Sequence, residues 1–275
     1  MELTREVMDS VLAKFNQGAL DQALLQAQSA LKARAGDETL RFLLVQLYLL
    51  GNQYEKALTH LGLLEQSVAQ DMQKAFSIHC YRQITQALSS RQLLFNQRKL
   101  VEVDVSQVSE KALQALLRRL AGESDVDEGV DVDNKLNRQA RVGMIEGDSR
   151  QGEWLDPDDL LRGFVECISP QGLYRLIPMT QLESLSFEPP GKPLDCLLQR
   201  VTVSWKATPS ASARQETLLH INHYPFVPDG VVDLNATDWD AQRLSCGVVG
   251  VGQKVFCLDD ELIAVSQLRS IEFEA

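Results

Sequence analysis

The sequence has no run of about eighteen apolar residues, so it offers no helix long enough to cross a bilayer. It lacks the GxxxxGK phosphate loop, the GxSxG nucleophile elbow and the HExxH zinc pair. None of its five cysteines (Cys80, Cys167, Cys196, Cys246, Cys257) forms a CxxC pair. Scattered and odd in number, they read as mostly buried, reduced thiols of a cytosolic protein. The opening MELTREVMDSVL is acidic and helical in pattern, unlike the basic stretch before an apolar core that marks a signal peptide. Clustered Lys and Arg are also missing. With 27 basic against 38 acidic residues the chain carries −11, the wrong sign for nucleic acid as a default partner. The deficit is uneven: residues 1–100 hold 11 basic and 9 acidic residues, so the negative charge lies in the remainder.

A repeat is present. FNQGALDQALLQA (15–27) returns 34 residues later as LLGNQYEKALTHL (49–61). In that register Phe15 falls on Leu49, Gly18 on Asn52, Leu20 on Tyr54, Asp21 on Glu55 and Ala23 on Ala57; upstream, Met8 meets Phe42 and Val11 meets Val45. Each copy reads as helix, tight turn, helix. Gly18 and Asn52 suit the left-handed backbone of the turn, and Ala23 and Ala57 suit a close helix approach. A 34-residue helix–turn–helix period is that of tetratricopeptide (TPR) repeats, although the repeat's Trp and closing Pro are absent. An ordinary pair of helical hairpins stands as the alternative. The next segment, 71–96, contains no Gly or Pro and predicts one long helix covering the open face of the second repeat. A further helix follows, with Ser109 as N-cap and Leu113, Leu116, Leu117 and Leu120 on one face.

Six acids then fall between Glu123 and Asp133 without a Lys or Arg. Val130 and Leu136 stand where a calcium loop requires Gly and Glu, so the stretch reads as a solvated linker that binds no metal. From Val142 the period changes. FVECIS, LYRLIPM, LESLSFEP, LLQRVTVSW, ETLLHINHY, KVFCLD, LIAVSQ and RSIEFE are short β-type runs broken by turn residues. Six to eight such strands predict a small antiparallel barrel or a pair of curled sheets. The fold class is therefore α then β: a TPR-like helical domain at 1–122, an acidic linker or mobile helix at 123–141, and a β-rich domain at 142–275. DPDDLLRG, before the first strand, reads as a short helix capped by Asp156, with Asp158 and Asp159 in its first turn. CGVVGVGQK reads as a turn, because its glycines reverse the dinucleotide fingerprint.

No convergent catalytic set emerges, and no cofactor or metal is expected. His220 and His223 lie three apart and on a strand point to opposite faces. The candidate site is a binding strip. In a TPR-like hairpin the first helix of each repeat lines the concave face, which gathers Met8, Leu12 and Phe15 with Phe42, Gln46 and Leu49. Lys14, Arg41 and Arg82 fall at its rim and suit an acidic partner segment. The alternative is that the long helix covers this strip and makes it core.

LRFLLVQLYLLGNQYEKALTHLGLLEQ resembles the repeat segment of the ImpE family, also called TagJ-like, and YRQITQALSSRQLLF resembles that family's long helix. GMIEG, EWLDPDDLLRGFVECISPQGLYRLIPMTQLESLSFEPP, DCLLQRVTVSW and the ending QLRSIEFEA resemble its second domain, in the same order. The acidic stretch 123–133 and the segment KATPSASARQE depart from the family pattern. The resemblance implies a TPR-like domain joined to an SH3-like β-domain. It also implies a cytoplasmic, non-catalytic adaptor of bacterial type VI secretion, with no membrane or nucleic-acid partner. The partners it implies are the small contractile-sheath subunit and the AAA+ ATPase that disassembles the sheath. A small hydrolase or ligand-binding protein, with a site between the domains near His220 and Asp159, is the second reading.

Overall fold

The computed structural model describes residues 2–123, 138–207, 212–226, 234–244 and 247–274. Four helices form two antiparallel hairpins: α1 (Glu2–Asn16) with α2 (Leu20–Ala33), and α3 (Glu38–Leu50) with α4 (Tyr54–Ser67). Gly18 and Asn52 make the turns with φ of 76° and 55°. Ala23 and Ala57 are both fully buried where the paired helices meet. The 34-residue register extends to the caps. Asp37 accepts the N–H of Leu40 at the start of α3, and Asp71 accepts that of Lys74 at the start of the next helix. That helix, α5 (Met72–Gln97), runs 26 residues without interruption, as its lack of Gly and Pro dictates. It begins where a third repeat would begin and continues past the point where the earlier copies turn. Ser109 caps α6 (Glu110–Ala121) through the N–H of Ala112.

The strands are β1 (Val103–Asp104), β2 (Arg138–Met144), β3 (Ser149–Leu155), β4 (Phe164–Ile168), β5 (Tyr174–Pro178), β6 (Leu182–Phe187), β7 (Leu198–Trp205), β8 (Arg214–Ile221), β9 (Thr237–Leu244), β10 (Gly247–Gly252), β11 (Val255–Leu258), β12 (Glu261–Ala264) and β13 (Leu268–Phe273). Eleven form one sheet in the order β1-β5-β4-β8-β7-β6-β13-β2-β3-β11-β12, and β9 and β10 form a separate two-stranded ribbon. All described pairings of named strands are antiparallel except β1 with β5.

Two cores result. One lies within the sheet around Trp154, Phe187 and Phe256. The other begins in the helices and continues into the sheet through Leu160, Phe164, Tyr174, Leu176 and Ile221. Strands β4 and β5 lie between the two cores. Val165, Cys167 and Ile177 turn inward, while Phe164, Ile168, Tyr174 and Leu176 turn to the helices. Burial on both faces explains why FVECI is a continuous rather than an alternating run. The β4–β5 turn abuts α5. A Cβ on Gly172, whose φ is +76°, would fall 2.4 Å from Cβ of Gln83.

Four expectations are corrected. The strands outnumber the six to eight expected, because β2, β3 and β9 are polar and partly exposed strands without a long apolar run. Pairing of β2 with β3 begins at Arg138. DPDDLLRG is a turn rather than a helix, and Asp156 and Asp158 are buried in it at 1% and 0% exposure. GVVGVG is strand β10 rather than a turn. Of the four described cysteines only Cys167 is buried, and the others are half-buried. The acidic stretch 123–133 lies, apart from Glu123, outside the described residues. Among the described residues no helix is long and apolar enough to cross a membrane.

Because Ala57 has no space around it, Ala57→Leu is expected to overpack the α3–α4 hairpin and cost about 1–3 kcal/mol. Urea unfolding measures the loss, and Ala23→Leu should lose a similar amount in the α1–α2 hairpin.

Candidate functional site, a partner-docking surface

The first helices of the hairpins bring the sequence-derived residues together by type. Met8, Leu12 and Phe15 on α1 and Phe42 on α3 are half-buried and pack onto the helical core. Leu49 is fully buried, so it supports the strip from beneath. Phe42 meets Tyr81 of α5 edge to face, with ring centroids 4.7 Å apart. Gln46 lines a groove of about 840 Å³ between α3, α5 and the sheet. Tyr81 and Ile84 line the helical wall, and Leu194, Leu198 and Leu219 line the sheet wall.

The rim cations differ in their engagement. Arg82 donates from Nε and a terminal nitrogen to the two carboxylate oxygens of Glu65 on α4, both at 2.6 Å. That forked bond, ahead of the opposing effect of burial, holds the Glu65 carboxyl below its ordinary range. Arg41 meets Nδ1 of His60 at 3.3 Å and donates to the Ala35 carbonyl. Burial and then the Arg41 charge push His60 down, so its ring is neutral and accepts from the guanidinium. Lys14 is half-exposed in the last turn of α1.

The 34-residue register continues into α5. Phe76 stands 34 residues after Phe42 and 68 after Met8, on the third helix of the series. It is 69% exposed, and Met72, one turn earlier on α5, is 88% exposed. The signal was the repeat register itself, continued once more into α5. Lys74 joins the start of α5 to α3 through Glu38 at 3.0 Å.

The residues of the second reading fall into separate networks. His220 is fully buried, and its Nδ1 lies 2.7 Å from Oδ1 of Asn222. The Asn222 amide donates to the Asp195 carbonyl and to Gln199, which leaves Oδ1 as the acceptor and puts the imidazole proton on Nδ1. Burial pushes His220 down to about 4. Asp159 accepts the N–H of Val248 at 2.8 Å. His223 points elsewhere, to the Leu234 carbonyl at 3.0 Å. Among the described residues no group of three His, Cys, Asp or Glu is arranged to hold a metal ion.

These environments give Phe42 and Leu49 different stability costs. Leu49→Ala is expected to cost about 2–5 kcal/mol, as a fully buried leucine does. Phe42→Ala should cost less than the about 3–5 kcal/mol of a fully buried phenylalanine. A double-mutant cycle with Tyr81→Ala should return a coupling of about 0.5–1.5 kcal/mol for the edge-to-face pair.

Three comparisons bear on this architecture. No curated protein matches the chain. Among solved structures, protein VPA1032 from Vibrio parahaemolyticus matches with a TM-score of 0.67 at 18% identity, over 97% of this chain and 98% of that one. The helical and β-rich portions therefore recur together in the same fold. The family model described as "ImpE protein" matches residues 148–272, from the start of β3 into β13. Over those residues the chain is similar to the ImpE family.

Proposed function

We propose that this protein, similar over residues 148–272 to the ImpE family, belongs to that family and is a non-catalytic cytoplasmic adaptor associated with type VI secretion. Its helical hairpins act as a TPR-like platform and its curled sheet as an SH3-like companion domain. The platform takes an amphipathic helix from the small contractile-sheath subunit, and the sheath-disassembling AAA+ ATPase is the other partner.

One observation carries this reading. Met8, Phe42 and Phe76 recur at 34-residue intervals on the alternate helices α1, α3 and α5, and the last of them is 69% exposed. A large aromatic left in water at the end of a half-buried apolar strip suits an anchor for a partner's apolar face. Tyr81, Ile84 and the groove beside Gln46 extend the same surface toward the sheet. Since Arg82 gives its charge to Glu65 and Arg41 is held by Ala35 and His60, steering by charge is secondary here to apolar contact.

Phe76 separates binding from folding. Phe76→Ala removes an exposed ring, so stability should stay within about 0.5 kcal/mol of the parent. Affinity for the purified small sheath subunit should fall at least about tenfold, as for a hot-spot anchor. Calorimetric titration of the two proteins measures it. Unchanged affinity for the Phe76→Ala variant would remove this strip as the docking surface.

A further inference from the structure

A second feature, independent of the docking strip, is a pseudo-two-fold repeat inside the sheet. LIPMTQLESLSFE (176–188) returns 86 residues later as LIAVSQLRSIEFE (262–274). Both copies fold alike: the end of one strand, a 3₁₀ turn (Met179–Gln181 or Val265–Gln267), then a second strand, β6 or β13. Leu185 and Ile271 are equivalent in the two copies and are also partners across the β6–β13 junction, so the pseudo-two-fold axis passes between them. Outward from that junction the sheet runs β6-β7-β8-β4-β5 on one side and β13-β2-β3-β11-β12 on the other. Even the irregularities correspond. β6 slips register against β7 between Leu182 and Ser184, and β13 slips against β2 between Leu268 and Ser270.

The two halves end differently. Beyond β5 lies β1, paired in parallel, with Val103 opposite Tyr174 and Asp104 opposite Arg175. Arg175 donates to Asp104 at 2.7 Å and, on its other side, to Glu216 of β8 at 2.8 Å. Beyond β12, the counterpart of β5, no strand follows among the described residues. The repeat puts Leu262 where Leu176 lies and Glu261 where Arg175 lies. Leu176 is fully buried and Leu262 is 52% exposed, although the next residues, Ile177 and Ile263, are both buried. The pairings also make Arg150 of β3 the counterpart of Glu216. Leu185 pairs with Val203 and Val203 with Glu216, just as Ile271 pairs with Val142 and Val142 with Arg150. Arg150 donates to Glu261 at 2.7 Å. One ion pair thus stands in both halves with its charges exchanged. In the first half it has a third member, Asp104 of the added strand. In the second, one carboxylate oxygen of Glu261 meets Arg150 and the other has no partner among the described residues.

We propose that the outer edge of β12 docks an extended segment of a partner protein, added parallel to β12 as β1 is to β5, with a lysine or arginine opposite Glu261. The backbone phase of the edge fits. The Val265 N–H donates to the Lys254 carbonyl as the Met179 N–H does to Gly163. Ladder alternation then turns Glu261 and Ile263 toward β11 and leaves the N–H and C=O of Leu262 facing outward. The residues flanking the cation fall on the Leu262 face, as Val103 falls on the face of Tyr174, so the matching segment reads apolar–cation–apolar. An acid such as Asp104 would set like charges opposite each other. The β12 strand of a second copy, with Glu, Leu, Ile and Ala, supplies no cation.

The test titrates the full-length, isotope-labelled protein with a synthetic peptide. LVEVDVSQ (100–107) is the β1 segment, and its Asp104→Lys form carries the exchanged charge. Nuclear magnetic resonance follows the β12 amides. The lysine form should shift the signals of Glu261–Ala264 and bind at least about fivefold more tightly than the aspartate form. Exchanging the ion pair, Arg150→Glu together with Glu261→Arg, keeps the net charge and should reverse the preference. Leu262→Pro, which removes an outward N–H, should abolish the shifts. Three results overturn the proposal: no shift at β12, equal binding of the two peptides, or a preference for lysine that survives the exchange. A β12 signal that moves with protein concentration before peptide is added overturns it as well, because it marks pairing with a second copy. All but the exchange are read on the unmodified protein, so they decide the matter even if a variant does not fold.

Discussion

The molecule depends on one ion pair. Arg91 extends from the last third of α5 and meets Glu166 of β4 with a two-pronged bond, at 2.6 and 2.9 Å, where neither side chain reaches water. Glu166 also accepts the Tyr174 hydroxyl at 2.7 Å, and Arg91 donates to the His223 carbonyl at 2.8 Å. One guanidinium thus ties α5 to β4 and to the segment after β8. Burial opposes both charges, yet each holds the other ionised: Arg91 lies above its ordinary range and Glu166 below its own. Such a pair adds little net stability against an apolar replacement. A missing partner, however, leaves a stranded charge that costs about 3–5 kcal/mol. The pair fixes where the sheet sits on the helices rather than how tightly the chain folds.

That placement organises the proposed docking surface. Helices α1, α3 and α5 follow one register, and the sheet meets α5 from Gln83 to Arg91. The 3₁₀ turn Pro193–Cys196 packs near α3 and walls the groove that Gln46 enters. The near end of α5, with Met72 and Phe76, remains open. The apolar strip therefore passes from a solvent-facing edge into a walled groove without leaving the same row of helices.

Much of this was legible in the sequence, for reasons that residues make plain. Gly18 and Asn52 mark left-handed turns, Ala23 and Ala57 mark close approach, and the absence of Gly or Pro from 71 to 96 marks α5. Strands buried on both faces, such as β4 and β5, announce themselves as apolar runs. Strands β2, β3 and β9 do not, because RQARVGM, SRQGEWL and TDWDAQRL owe their conformation to neighbours in the ladder or ribbon rather than to composition. The Asp156–Asp159 loop was misread for a related reason. Acids behind a turn look like helix caps until Lys254, far downstream, is seen to be buried against Asp156. Phe76 was overlooked because the third copy of the repeat lacks its turn, and only its first half keeps the register.

The unbroken length of α5 has a mechanical meaning. Phe76 and Arg91 are fifteen residues apart on one helix, a span of about 22 Å at the rise of an α-helix. A rod of that kind does not absorb a push at one end by bending at a hinge, since it has no glycine or proline to serve as one. Load applied at the exposed end is delivered to the guanidinium that anchors the sheet. The helix that carries the proposed docking surface is thus also the shaft through which pulling at its exposed end would reach the β-rich half.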